Sequence, residues 1–244
     1  MKKDSIGNRM KDNYENRYRI KLTRRMPVIL RLDGKCFHSL TRKCRKPFDD
    51  GFGKLMIYTA NHLMSNIQGA KFAYVQSDEI SLLLTDFDRL TTDAWFDYNL
   101  QKIVSISASY ASTFFTSQWD TLAIFDSRAF NVPKEEVTNY FIWRQQDWFR
   151  NSIQMLSQSY FSTKQLHKKN TSDMHEMLHS KGVNWANLDD RWKNGTSIVK
   201  SEEETAVADN IIFTKNRKVI EDLLIPIEDQ MQYTDFDRED PLEG

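Results

Sequence analysis

Pro27-Val28-Ile29-Leu30-Arg31-Leu32-Asp33-Gly34 is almost unbroken in aliphatic and β-branched residues until it reaches an Asp-Gly pair. Such a run predicts a strand closed by a sharp turn, because β-branched side chains suit a pleated surface and glycine turns without steric cost. Downstream, the spacing predicts a helix over Asp50–Asn66, with Phe52, Leu55, Met56, Thr59 and Leu63 on one face. Two short strands follow, Phe72–Gln76 and Ile80–Leu84, and the gap between them, Ser77-Asp78-Glu79, suits a hairpin. A second amphipathic helix is predicted over Tyr98–Trp119 and a fourth strand over Leu122–Val132. Pro133 then suits the first turn of a long, aromatic-rich helix over Lys134–Ser159. Strand, helix, hairpin, helix, strand is the βαββαβ order of a ferredoxin-like α+β unit.

Outside that unit the chain is more polar. Residues 4–25 are highly charged and helical in part. Beyond Thr163 the pattern is polar and helical, with one strand at Thr196–Lys200. Glu202-Glu203-Glu204 reads as solvated, and the acidic end, residues 235–244, as disordered. The expected division is a catalytic domain with an N-terminal arm over 1–162 and a helical, polar extension over 163–244. The 244 residues carry 34 basic and 34 acidic side chains, so bulk charge recruits neither nucleic acid nor a membrane, and a local patch must do so. No apolar run approaches the ~20 residues of a membrane span, and no signal-peptide core follows the basic start. Two cysteines, Cys36 and Cys44, are too few for a disulfide framework, so the expected setting is a reducing cytoplasm.

In the βαββαβ order the end of the first strand lies beside a strand of the hairpin. Asp33 closes that first strand and Asp78 sits in the hairpin turn, so the two carboxylates are expected at one place. Hard oxygen ligands of this kind suit Mg²⁺. Two such ions about 3.5–4 Å apart serve in-line phosphoryl displacement. Gly34, lacking a Cβ, lets its own carbonyl approach an ion. The plainer alternative is that both acidic turns are turn chemistry alone.

Several blocks together resemble the tRNA(His) guanylyltransferase family, above all its bacterial-type, 5′-end repair members. They are Arg31-Leu32-Asp33-Gly34-Lys35-Cys36-Phe37-His38, Lys46-Pro47-Phe48-Asp49, Gln76-Ser77-Asp78-Glu79, Gln101-Lys102-Ile103-Val104-Ser105 and Asn139 through Asp147. The resemblance implies a polymerase-like palm that adds nucleotides to an RNA 5′ end in the 3′-to-5′ direction. It also implies two Mg²⁺ ions, ATP and GTP or other nucleoside triphosphates as substrates, tRNA as partner, and a homotetramer. By that resemblance Asp33, Gly34 and Asp78 hold the metals, and Glu79 and Lys102 join Asp33 and Asp78 as catalytic positions. Lys35, Cys36, Phe37, His38, Asp49, Ser77 and Arg128 match nucleotide-binding positions. One departure stands out. Guanine-adding members carry a histidine two places after the Asp that ends the last block, whereas here Trp148 and Phe149 follow Asp147. That favours template-directed repair over a dedicated tRNA(His) guanylyltransferase.

Independent of the resemblance, backbone amides in a tight turn after a strand form an anion-binding nest, and His38 adds a donor. Rival chemistries exist. His175-Glu176-Met177-Leu178-His179 is a literal H-E-x-x-H, the pattern of a zinc metallopeptidase, with Glu202–Glu204 within reach of a third ligand. Its flanking lysines suit a solvated helix instead. Cys36, His38 and Cys44 lack a fourth soft ligand. A nucleotide cyclase would use a similar palm without RNA, but the Lys46–Asp49 and Trp143–Asp147 blocks argue against it. Arg24-Arg25 and the run Arg42 to Lys46 could grip RNA phosphates, and Trp143, Trp148 and Phe149 could stack on bases or fill the core.

Overall fold

The computed structural model describes residues 5–200 and 205–226. The predicted strand–turn forms as β1 (Val28–Gly34), preceded by the arm helix α1 (Ile6–Asn13) and followed by a single turn α2 (Phe37–Leu40). Then come α3 (Asp50–Asn66), β2 (Ala70–Gln76), β3 (Glu79–Leu84), α4 (Leu100–Gln118), β4 (Phe125–Asn131) and α5 (Lys134–Gln158). The remainder supplies α6 (Thr163–Leu166), α7 (Thr171–His179), α8 (Asp190–Asn194), β5 (Thr196–Lys200), β6 (Thr205–Ala208) and α9 (Lys218–Glu221). One sheet runs in the order β4-β1-β3-β2-β5-β6, every neighbour antiparallel. Its first four strands stand in the order expected of the βαββαβ unit, with β1 and β3 at the centre.

The sheet is covered on both faces, which is why β1 is apolar at nearly every position. Alternation sends Val28, Leu30 and Leu32 towards α3 and α4, where they meet Met56, Leu63, Ile103 and Phe115. Ile29, Phe72, Tyr74 and Leu83 face the other way, against Phe141 of α5 and Phe213 and Ile220 near the C-terminal end of the described chain. Asp49 caps α3, its carboxylate accepting the Phe52 amide at 2.9 Å, so that helix starts where the apolar periodicity does. The second amphipathic helix starts later than its periodicity suggests. Phe96, Asp97 and Tyr98 all take positive φ, and Asn99 caps the helix through the Lys102 amide. β4 is likewise shorter than expected, because both backbone groups of Ala123 are tied to the Thr116 hydroxyl.

The segment after residue 162 is short helices plus the expected strand, here β5, and a second one, β6, that extends the same sheet. Glu202–Glu204 and the acidic end fall outside the described residues. Among the described residues no helix is long and apolar enough to cross a membrane.

Candidate active site

Asp33 closes β1 between Glu79 of β3 and Asp126 of β4, its register partners on the two sides. Asp78 sits in the two-residue turn that joins β2 to β3, and its carbonyl accepts the Gly34 amide at 3.1 Å. The two acidic turns are therefore sewn together, as the strand order requires. Ser77, beside Asp78, takes a φ of 47°, a left-handed conformation that non-glycine residues adopt at a cost. Burial raises the Asp33 carboxyl above its ordinary pKa, and the charges of Asp78, Glu79 and Asp126 push it further, with Arg128 opposing. Burial likewise raises Asp78, against hydrogen bonds from its own amide and Ser77. A group of carboxylates that resist ionisation together favours a bound cation. The donor chemistry fits Mg²⁺: two carboxylates, Asp33 and Asp78, and the Gly34 carbonyl, with waters and substrate phosphates completing the shell. Among the described residues no group of three or more His, Cys, Asp or Glu side chains is arranged to hold a metal ion, so a shell here would depend on the carbonyl and the substrate.

Glu79 has a different occupation. Arg144 of α5 grips it with both arms of its guanidinium, at 2.7 and 2.8 Å. The same guanidinium also reaches Asp147 at 3.0 Å. Both members of the pair are largely buried, which favours the bidentate geometry over solvated alternatives. Glu79 also accepts from the Gln76 side-chain amide at 3.1 Å. This chain ties the acidic turn to α5, and together they border a cleft of about 430 Å³ that Asp33, Asp78, Asp147 and Asn151 also line.

The turn after Asp33 is held from inside. Gly34 donates to Asp78, and the Lys35 amide to the Ile124 carbonyl at 2.8 Å. Phe37 is buried against Phe52, Phe115 and Phe125, and a Cβ on Gly34 would stand 2.5 Å from its ring. That close approach is the local reason for glycine. Cys36 adopts φ 58°, and His38 and Lys35 are exposed. The amides of Phe37 and His38, at the start of α2, have no partner within the helix. A slot of about 90 Å³ is lined by Phe48, Trp148 and Trp192, with Asp49 at its wall. Both oxygens of Asp49 already accept amides, from Phe52 and Arg45, and these bonds hold its pKa below the usual range. Any contact to a base would share those oxygens.

Two predicted positions lie on other elements, β4 and α4. Arg128 pairs with Arg31 across β1–β4 and reaches Asp126 at 3.3 Å, on the sheet face that carries Asp33. Lys102 lies in the first turn of α4, the helix whose Ser107 meets Ser127, the register partner of Leu32, at 2.8 Å. Leu100 there is bonded to Ile20, and Thr23 to Asn131, which pairs with Val28 at the opposite end of β1. The Lys102 ammonium rests over the Phe96 ring. Arg24 is committed to Asp86 and Asp97, and Arg25 to the Arg89 carbonyl. Trp148 is buried, Phe149 packs on Trp185, and Trp143 is exposed beside Arg31 and Arg144. On α7, His175 packs on Trp185 while His179 is exposed; the proposed third ligands, Glu202–Glu204, are outside the described residues.

Sequence reasoning missed Gln76 and Arg144 as site residues, and Trp192 as a wall of the slot. Arg144 and Gln76 were inside the quoted blocks, so the signal was present but its chemistry was not; Trp192 lay in a segment with no motif.

Comparison with known proteins agrees with the geometry. The family model of the tRNAHis guanylyltransferases matches residues 7–133. A bacterial tRNA(His) guanylyltransferase-like protein solved in complex with ATP superposes with a TM-score of 0.86 at 46% identity, over 91% of this chain and 99% of that one. A structure of such a protein with GTP gives 0.80 at 44% identity, over 91% and 99%. The tRNA(His) guanylyltransferase of Debaryomyces hansenii is 28% identical over 79% of this chain and 80% of its own. With its two acidic turns joined at one end of the sheet, the chain belongs to the tRNA(His) guanylyltransferase family and is a nucleotidyltransferase.

Proposed function

We propose that this enzyme adds nucleotides to the 5′ end of tRNA in the 3′-to-5′ direction, restoring whichever nucleotide pairs with the opposite strand. The observation that carries this reading is the junction of Asp33 and Asp78, bridged by the Gly34–Asp78 hydrogen bond, in a polymerase-like palm. Asp33, Asp78 and the Gly34 carbonyl would hold two Mg²⁺ ions. Bound there, the ions would supply activation of an attacking hydroxyl and charge neutralisation at the leaving oxygen.

The chain's own groups do the positioning. The free amides at residues 37 and 38, with Lys35, His38 and Ser77, bind the triphosphate of the incoming nucleotide, and the slot beside Asp49 takes its base. Arg144 holds Glu79 and thereby the acidic turn. A 5′-monophosphate oxygen first attacks the α-phosphorus of ATP and releases pyrophosphate. The 3′-hydroxyl of the next nucleotide then attacks the activated 5′ phosphorus and releases AMP. Nothing in the Asp33–Asp78 chemistry reads a base, so selection falls to pairing with the template. A wrong pair displaces the attacking hydroxyl, and about 1 Å of displacement costs on the order of 100-fold in rate. Trp148 and Phe149 after Asp147 support repair. Arg128 and Lys102 are proposed phosphate contacts, and the assembly is proposed to be a tetramer in the cytoplasm.

The test uses two 5′-truncated tRNAs, one lacking guanosine opposite cytidine and one lacking cytidine opposite guanosine, each offered all four nucleotides. Comparable restoration of both is expected, and Asp33→Ala or Asp78→Ala should abolish it without unfolding the protein. Addition of guanosine alone, whatever the template, would instead establish a dedicated guanylyltransferase, the activity that the named relatives carry.

A further inference from the structure

Arg31 stands directly opposite Arg128 in the β1–β4 ladder. Register partners leave one face of the sheet with Cβ atoms about 4.5–5.5 Å apart, and like charges so placed destabilise the pair. The surroundings do little to relieve this. Among the described residues Arg31 has no acidic partner. Its half-buried guanidinium lies 5.9 Å from the centre of the Trp143 ring. Arg128 reaches Asp126 at 3.3 Å, but both side chains are half exposed, and an ion pair in that setting contributes little. On the α5 side, Glu79 and Asp147 are taken by Arg144, and Ser81, the other register partner of Arg31, is engaged with the Tyr140 hydroxyl.

The position of the pair says what would neutralise it. Arg31 and Asp33 are two residues apart on β1, as Arg128 and Asp126 are on β4, so all four side chains share the face that α5 partly covers. A row of carboxylates, Asp126, Asp33 and Glu79, thus runs beside a row with two arginines, roughly 7 Å back along the strands. The rim is open there, since Trp143 is 48% exposed. Guanidinium groups are suited to phosphate, to which they give several N–H donors at once. A cation-holding row with an arginine row one step behind it fits a chain that carries phosphates at intervals. The triphosphate has its own cradle on the other side of Asp33, in the turn over residues 35–38. Its outer phosphates also depart as pyrophosphate, whereas the two arginines face each other throughout. An internal phosphate of the RNA strand is present in both steps.

We infer that Arg31 and Arg128 together hold the phosphodiester that follows the 5′-terminal nucleotide of the RNA, with the Trp143 ring supporting the Arg31 guanidinium. The inference rests on the 5′-end RNA reading of the site. It makes Arg31 a substrate contact and gives Arg128 a definite phosphate.

The test is equilibrium binding of a 5′-phosphorylated RNA hairpin, built as a tRNA acceptor stem, to the full-length protein and its Arg31→Met variant. A second hairpin carries an uncharged methylphosphonate at its first internucleotide linkage. Arg31→Met should weaken binding of the native hairpin about 10-fold, the worth of one charge-assisted hydrogen bond. The methylphosphonate should cost the wild type about as much, and the variant less than about 2-fold, because the two changes remove one contact. ATP affinity should be unchanged, and the melting temperature of the free variant should hold or rise, since the facing charges are gone. Equal affinity of the wild type for both hairpins would overturn the inference without any variant. So would a methylphosphonate loss as large in the variant as in the wild type, or a variant that melts well below it. An equal loss of ATP affinity would overturn it too, by giving the pair to the nucleotide's phosphates. A wild type that binds neither hairpin would overturn the proposed function, and this inference with it.

Discussion

Replacing Arg144 by methionine isolates the link between the acidic turn and α5. In the native fold the guanidinium makes two bonds to Glu79 and one to Asp147, and its side chain is 9% exposed against 13% for Glu79. Methionine has similar reach and fills the space, so little is lost in packing. What remains is a carboxylate in a half-closed interior, opposite Asp33 across the β1–β3 ladder, with only the Gln76 amide and the Ser81 hydroxyl to solvate it. Removing one member of a buried pair costs about 3–5 kcal/mol, most of it the penalty of the stranded charge. For a chain of this size each kcal/mol is worth about 2–4 °C, so the melting temperature should fall by roughly 6–20 °C. The stranded charge can be removed separately. Glu79→Gln keeps an acceptor for Gln76, and the double variant should recover more than about 1.5 kcal/mol relative to the sum of the single effects. Urea and thermal unfolding followed by circular dichroism measure all four corners of the cycle. A single variant within about 1 kcal/mol of wild type, or strictly additive effects, would refute the idea that Arg144 neutralises Glu79.

Two further outcomes follow from local geometry. Asp49→Ala removes the acceptor of the Phe52 and Arg45 amides and should cost about 1–2 kcal/mol near neutral pH. Because those bonds hold the Asp49 pKa below its unfolded value of 3.8, its stabilisation is present above that value and lost as pH falls through the folded pKa. The gap between variant and wild type should therefore narrow in acid, and a gap independent of pH would contradict the assignment. Gly34→Ala places a Cβ 2.5 Å from the Phe37 ring, so unfolding titrations should show a loss of about 1–3 kcal/mol through forced repacking, whereas a neutral substitution would mean that Phe37 moves freely.

The order of the six elements of the βαββαβ unit was legible because each announces itself locally. β1 is an apolar run ended by Asp-Gly, α3 and α4 carry a 3.6-residue stripe, and the hairpin gap admits nothing longer than a turn. Asp33 and Asp78 were legible for the same reason, since topology alone brings strand ends together. Other features are set by contacts between distant segments. Glu79 reads as another acid by the turn, and only the crossing of α5 over the sheet gives it to Arg144. β6, four residues on the far edge beside β5, has too little pattern of its own to be read.

Arg144 and its neighbour Gln145 divide the labour of one short piece of helix. Gln145, 2% exposed, donates to the carbonyls of Asn194 and Ile211 and accepts the amide of Phe213. Its amide thus behaves like an inserted stretch of main chain, closing three contacts that no strand or helix closes, while the Tyr74 hydroxyl of β2 binds the same Asn194 carbonyl. Severing the polypeptide near residue 162 would strand all of these groups at once. For anyone trimming or grafting this enzyme, the later third is therefore a structural creditor of the first two thirds: remove it, and the defect appears one residue away from the arginine that steadies the acidic turn.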